Sequence, residues 1–185
     1  RQEKDEMNHS GGLWLEREPS VDEVKAEFEK FDMSKYKEVV FCGFGEPTER
    51  LEDVLEVAAF VKEKYGLPTR INTNGLSDLI YNKDTAPMFK DKIDTVSISL
   101  NTPNKERYYE LTRSKFGIDS FDAMLKFAEN VKHYVKNVVL GFLEHIAVNK
   151  HRDDRHDDKV DRKGNIAVRH KHTAHPHHEK YRGMR

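Results

Sequence analysis

Three short stretches hold the groups best suited to chemistry. The first is Val39-Val40-Phe41-Cys42-Gly43-Phe44-Gly45-Glu46-Pro47-Thr48, an apolar run that enters a glycine-rich turn carrying one carboxylate. Gly43 and Gly45 permit backbone conformations closed to other residues and let a ligand approach the main chain. Pro47 biases Glu46 towards extended backbone. Glu46 then stands at the C-terminal mouth of a strand, where α/β folds place their chemistry. The plainer alternative is a tight strand-to-helix turn with a solvated Glu. The second stretch is Thr73-Asn74-Gly75, whose Asn-Gly pair is a strong turn signal. In the third, Val96-Ser97-Ile98-Ser99-Leu100-Asn101, the hydroxyls of Ser97 and Ser99 face away from the apolar residues, into an interior or a ligand. The pattern assigns no catalytic side chain and no metal ligands.

The elements that must position these groups alternate between strand and helix. Ser20 and Glu23 form a capping box that opens a helix with Val21, Val24, Phe28 and Phe31 on one face. A strand over 38–43 follows, read as buried on both faces from its apolar run. A second helix runs from about Arg50 to Tyr65, with Leu51, Val54, Leu55, Ala58 and Val61 inward and Gly66 as its stop. Strands over 69–73 and 94–100, a helix from Lys105, and a helix over 121–135 complete the series. In that last helix Phe121, Met124, Leu125, Phe127, Ala128 and Val131 point inward. Val138-Val139-Leu140 starts a fourth strand. This alternation predicts parallel βα units. Four strands do not close an eight-stranded barrel, so the expected fold class is α/β, a partial (β/α) barrel with an irregular C-terminal tail.

Composition narrows the function classes. With 32 Lys and Arg against 33 Asp and Glu in 185 residues, no net field favours nucleic acid or anionic lipid. No apolar run is long enough to span a bilayer and no signal peptide is visible, which makes the cytoplasm the default compartment. Cys42 is the only cysteine, which excludes an intrachain disulfide and a cysteine-based zinc or iron–sulfur site within these residues. The thiol itself reads as a small buried hydrophobe.

Beyond Leu143 the character changes. Arg, His, Lys and Asp dominate, and His170, His172, His175, His177 and His178 cluster there. Residues 1–143 therefore read as the βα domain and 144–185 as a polar tail with too little apolar surface to order itself. A metal-binding histidine tract is the competing reading. Translation from a shifted frame is a third.

Taken together, these stretches resemble the radical S-adenosylmethionine (SAM) superfamily. Gly43-Phe44-Gly45-Glu46-Pro47-Thr48 resembles its "GGEP" turn, with Phe44 in place of the first motif glycine. Thr73-Asn74-Gly75 resembles its "TNG". The strand from Val96 to Asn101 resembles the one that carries hydroxyl and amide groups to the cofactor. The match spans roughly Leu13 to Leu140. The runs from Leu13 to Pro19 and from Ser97 to Pro103 look closest to the small radical SAM proteins associated with TatD-type nucleases. The resemblance implies SAM and a [4Fe–4S] cluster as cofactors, reductive SAM cleavage to methionine and a 5′-deoxyadenosyl radical, and a flavodoxin or ferredoxin as electron donor. The cluster is held in that family by a C-x3-C-x2-C loop, and no such loop occurs here. Arg1-Gln2 resembles the residues just past it, so the chain is expected to lack its first strand and to leave an edge open beside Val39.

The resemblance also implies residue roles. Main-chain groups at Phe44, Gly45 and Glu46, in the turn begun by Gly43, would hold the methionine ammonium. Glu46 would add its charge or merely cap the next helix. Thr73 and Asn74 would line the second strand end or serve turn chemistry alone. Ser97, Ser99 and Asn101 would reach the ribose or the methionine carboxylate, or pack in a narrow interior. Arg113 is a candidate carboxylate partner or an ordinary exposed Arg. Against the enzyme stand a catalytically silent α/β fragment that binds an adenosyl ligand or a protein, and a histidine-rich metal binder. Metal analysis after anaerobic reconstitution separates them. No cubane is expected on these residues, whereas a histidine tract would hold stoichiometric zinc or nickel that is lost when the chain is cut after His145.

Overall fold

The structure is a computed structural model that describes Leu15, residues 17–43 and 45–142, and the backbone of residues 165–168. Leu13, Trp14, Phe44 and the histidine-rich tract lie outside the described residues. The elements run α1 (Val21–Phe28), β1 (Val39–Phe41), α2 (Leu51–Tyr65), β2 (Thr69–Thr73), α3 (Ser77–Tyr81), β3 (Thr95–Ser99), α4 (Lys105–Thr112), α5 (Ser120–Val131), β4 (Asn137–Gly141) and β5 (Asn165–Val168). One open sheet has the order β1-β2-β3-β4-β5. Its first four strands are parallel, with Phe41 opposite Ile71, Thr73 opposite Ile98, and Ser99 opposite Gly141. This is an α/β fold consistent with a partial radical SAM barrel. β5 pairs antiparallel with β4, a short strand that the aperiodic tail did not announce.

Local chemistry accounts for the boundaries. Ser20 caps α1 through both halves of its capping box, accepting from Glu23 N while the Glu23 carboxylate accepts from Ser20 N. Gly66 closes α2 in the left-handed conformation, at φ 66°. Helices cover one face of the sheet. There Leu51, Leu55, Ile71, Phe89, Val96, Ile98, Met124 and Phe127 are almost wholly buried, each adding about 1.5–3 kcal/mol of apolar transfer. Phe89 and Phe127 meet edge to face at 5.5 Å between centroids. Leu125, read as inward, is 37% exposed, because the apolar arc of α5 is wider than the face the sheet can cover.

Three readings are corrected at β1. The strand is three residues long rather than six, and it is not buried on both faces: Val40 is 39% exposed. Among the described residues β1 pairs only with β2, so it is an edge strand. Cys42, just beyond it, is exposed rather than buried. None of the residues of α1 is fully buried.

The N-terminal ends of the strands are joined by one carboxylate. Asp94 is 5% exposed and accepts from Lys62 Nζ (2.8 Å), Thr69 N (2.9 Å) and Lys136 Nζ (2.7 Å). Its main chain bonds Thr69 O on β2 and Asn137 N on β4. Burial alone would raise its pKa, but the two ammonium groups and the Thr69 N–H outweigh that and hold the carboxyl far below the usual range. Its stabilising contribution is therefore complete above the unfolded value of about 3.9 and fades as pH falls towards the depressed folded value.

Two measurements follow. Asp94→Asn should cost about 1–3 kcal/mol at neutral pH, less than for a fully dry pair because both lysines reach solvent, and urea melts should show a flatter loss of stability below about pH 4. At Gly75, φ is 74° and an added Cβ would meet Ile98 Cγ2 at 2.9 Å and Met124 Cγ at 3.0 Å. Gly75→Ala should cost about 2–4 kcal/mol in the same melts, from left-handed strain and overpacking together.

Candidate functional site

Parallel pairing in the order β1-β2-β3 brings the three sequence stretches to one rim, because the C-terminal ends of adjacent parallel strands lie side by side. Gly43, Gly45 and Glu46 follow β1. Thr73 ends β2 and Asn74 follows it. Ser99 ends β3, with Asn101 two residues on and Ser97 one pleat back. Phe44 lies outside the described residues.

Each group has a traceable place. Gly43 and Gly45 are exposed, and Gly43 does not adopt the left-handed backbone expected of a turn glycine. An added Cβ would have nothing within 4 Å at Gly45, so what glycine provides there is an uncovered main chain. Glu46 is half-buried and extended (φ −103°, ψ 114°), as the following proline favours. Its Oε1 accepts from Thr48 N (3.1 Å), Thr48 Oγ1 (2.7 Å) and Thr73 Oγ1 (2.6 Å), and its Oε2 accepts from Asn74 N (2.8 Å). The carboxylate thus caps the short 3-10 turn Pro47–Arg50 and also reaches β2. Thr73 is buried, and its Oγ1 accepts from Gly75 N at 3.0 Å. Asn74 Oδ1 accepts from Leu76 N at 2.9 Å, an Asx turn. Ser97 is half-buried, and Ser99 is exposed on the face opposite Val96, Ile98 and Leu100. Asn101 has φ 65° and donates its N–H to Gly141 O at 3.0 Å.

Asn74, Ser99 and Asn101 line one cleft of about 330 Å³, together with Tyr108, Thr112 and Arg113. Arg113 holds the left-handed C-cap of α4 at φ 47°, and its guanidinium has no ion pair among the described residues. Its neighbour Lys115, by contrast, pairs with Glu49 at 2.9 Å, which ties the loop after α4 to the turn after β1. Burial, with the Glu46 carboxylate adding to it, pushes the Tyr108 phenol up, so this group stays protonated. Ser97, Thr73 and Glu46 stand behind the cleft rather than on its wall. Tyr108, Thr112, Lys115 and Thr48 were not singled out from the sequence. Only Thr48 had a local signal, as a hydroxyl two residues past a capping Glu.

A larger groove of about 740 Å³ lies elsewhere, between α1 and the open edge of β1, lined by Leu15, Val24, Phe28, Phe31, Met33 and Val39. Its wall is apolar, whereas the rim cleft gathers the hydroxyl, amide and guanidinium groups that orient a polar ligand. The rim is therefore the better candidate site.

Cluster chemistry does not fit these residues. A cubane held as in the resembled family needs three thiolates, and Cys42 is the sole cysteine of the sequence. Among the described residues no group of three or more His, Cys, Asp or Glu side chains could hold a metal ion. Nor is any helix among them long and apolar enough to cross a membrane.

Comparison with known proteins bears on the same rim. A search of curated proteins and a search of solved structures each returned no match. A family model described as the radical SAM superfamily matches residues 6–155, which takes in all four parallel strands and every residue of the cleft. The chain belongs to the radical SAM superfamily.

Proposed function

We propose that the chain holds S-adenosylmethionine at the C-terminal rim of its sheet, as the binding part of a radical SAM-type protein. What supports this most is the convergence of Asn74, Ser99 and Asn101 on one cleft beside Arg113, which has no ion pair among the described residues. The volume lies at the lower end of the range for small-ligand sites. The ligand's chemistry matches group by group. Its ammonium suits the main chain at Gly43 and Gly45, where a missing side chain leaves carbonyls accessible. Its carboxylate suits Arg113, through a charge-assisted hydrogen bond. Its ribose hydroxyls suit Ser99 and Asn101, and Asn74 forms the wall between, with Ser97 and Thr73 supporting that wall from behind.

Next to a reduced [4Fe–4S] cluster, SAM supplies one-electron reductive cleavage and hydrogen abstraction. The thiolates for such a cluster have to come from outside these 185 residues. The chain's own contribution is to bind, orient and shield the cofactor. Within the superfamily, the runs from Leu13 to Pro19 and from Ser97 to Pro103 support the branch associated with TatD-type nucleases. A flavodoxin or ferredoxin as reductant and a cytoplasmic location belong to the same reading.

Isothermal titration of the full chain tests the binding. SAM should bind, and Arg113→Ala should weaken it about 10- to 100-fold, the equivalent of one hydrogen bond to a charged group. 5′-Methylthioadenosine lacks the carboxylate, so its affinity should not change in that variant. Absence of SAM binding by the unaltered chain would refute the proposal.

A further inference from the structure

We infer that the Glu46 side chain acts as a brace between two turns of the rim and is a positioning residue for the ligand site rather than a contact to the ligand's ammonium. The inference rests on the proposed SAM site for its functional meaning, but its geometry stands on its own.

A carboxylate offers about four lone-pair positions. Three donors converge on Oε1: the Thr48 N–H, the Thr48 hydroxyl and the Thr73 hydroxyl. The Asn74 N–H takes one position on Oε2. Two of these bonds stay within the turn after β1, and two cross to β2, 27 and 28 residues away in sequence. Thr73 extends the connection further. Its hydroxyl proton is directed at Glu46, which leaves a lone pair to accept from Gly75 N at 3.0 Å. The result is a continuous chain from Gly75 N–H through Thr73 Oγ1 to Glu46 Oε1. Gly75 in turn is seated against Ile98 and Met124. Through Glu46, the exposed Gly45 is referenced to the buried core, and Asn74 is held facing the cleft.

The donors also specify a carboxylate rather than an amide. Both hydroxyls can turn round, but the two backbone N–H groups cannot. One of them meets each oxygen: Thr48 N at Oε1 and Asn74 N at Oε2. In Glu46→Gln the side-chain NH2 must face one of these N–H groups whichever way the amide is flipped, so a bond is replaced by a donor–donor contact. The part-buried setting makes that contact unfavourable.

The experiment compares Glu46→Gln, Thr73→Val, the double variant and Thr73→Ser in the full chain, titrating both SAM and 5′-methylthioadenosine. 5′-Methylthioadenosine has no ammonium, so it separates a brace from a direct contact. A brace predicts that Glu46→Gln and Thr73→Val each weaken both ligands by at least about 10-fold, that the double variant is no worse than the poorer single, and that Thr73→Ser behaves as the unaltered chain. A direct ammonium contact predicts that Glu46→Gln weakens SAM alone and that Thr73→Val changes little, which would overturn the inference. If the unaltered chain binds neither ligand, the proposed function fails and the brace is decided by hydrogen exchange. Protection at the Asn74 and Gly75 amides should then fall about 10-fold or more in both single variants while protection across β3 and β4 is retained. Unchanged protection at those two amides would overturn it. Should Glu46→Gln fail to fold, the isosteric Thr73→Val and its Ser counterpart carry the same comparison.

Discussion

Everything at the candidate site depends on parallel pairing between β1, β2 and β3. In an antiparallel sheet the three turns would alternate between opposite ends, and no cleft could collect them. Here the register sets Thr73 opposite Ile98 and Phe41 opposite Ile71, so successive strand ends form a shallow stair on one side of the molecule. β2 holds the central position among the three. Both of its ends are bonded by carboxylates from neighbouring segments, Asp94 at Thr69 and Glu46 at Thr73 and Asn74.

The two carboxylates divide the labour. Asp94 is neutralised by two lysines and buried, as suits a group whose only task is to hold three strand starts together. Glu46 has no ion pair among the described residues and is bound by hydroxyl and amide donors alone. That difference leaves the Glu46 carboxylate without a lysine or arginine of its own, while the nearby Lys115 is matched by Glu49. The cleft's positive charge without an ion pair among the described residues is Arg113.

Much of this was legible in the residues, wherever local chemistry alone decides the outcome. Ser20 with Glu23 marked the start of α1, and Gly66 after a leucine stripe marked the end of α2. β2 matches its expected span residue for residue, because Pro68 and Asn74-Gly75 punctuate both sides. The open edge expected beside Val39 is present among the described residues, but what that edge exposes was misread. Four apolar residues suggested a strand buried on both faces, but β1 lies at the edge of the sheet, and that also puts Cys42 in solvent. The capping half of Glu46 could be read from Glu-Pro-Thr, whereas its bonds to Thr73 and Asn74 exist only once β1 and β2 have paired. Ile166, Ala167 and Val168 supply the three apolar residues of β5, too few to stand out against a charged background.

Two residues bordering the cleft, Asn101 and Arg113, hold left-handed backbone at φ 65° and 47°. Asparagine tolerates that region; arginine does so at a cost of about 1 kcal/mol or more. Glycine at 113 would relax the chain and strip the cleft of its guanidinium in the same step. Selection for heat resistance alone would therefore favour the replacement, while selection for ligand capture would oppose it. The bend after α4 is thus a point where folding fitness and recognition pull in opposite directions.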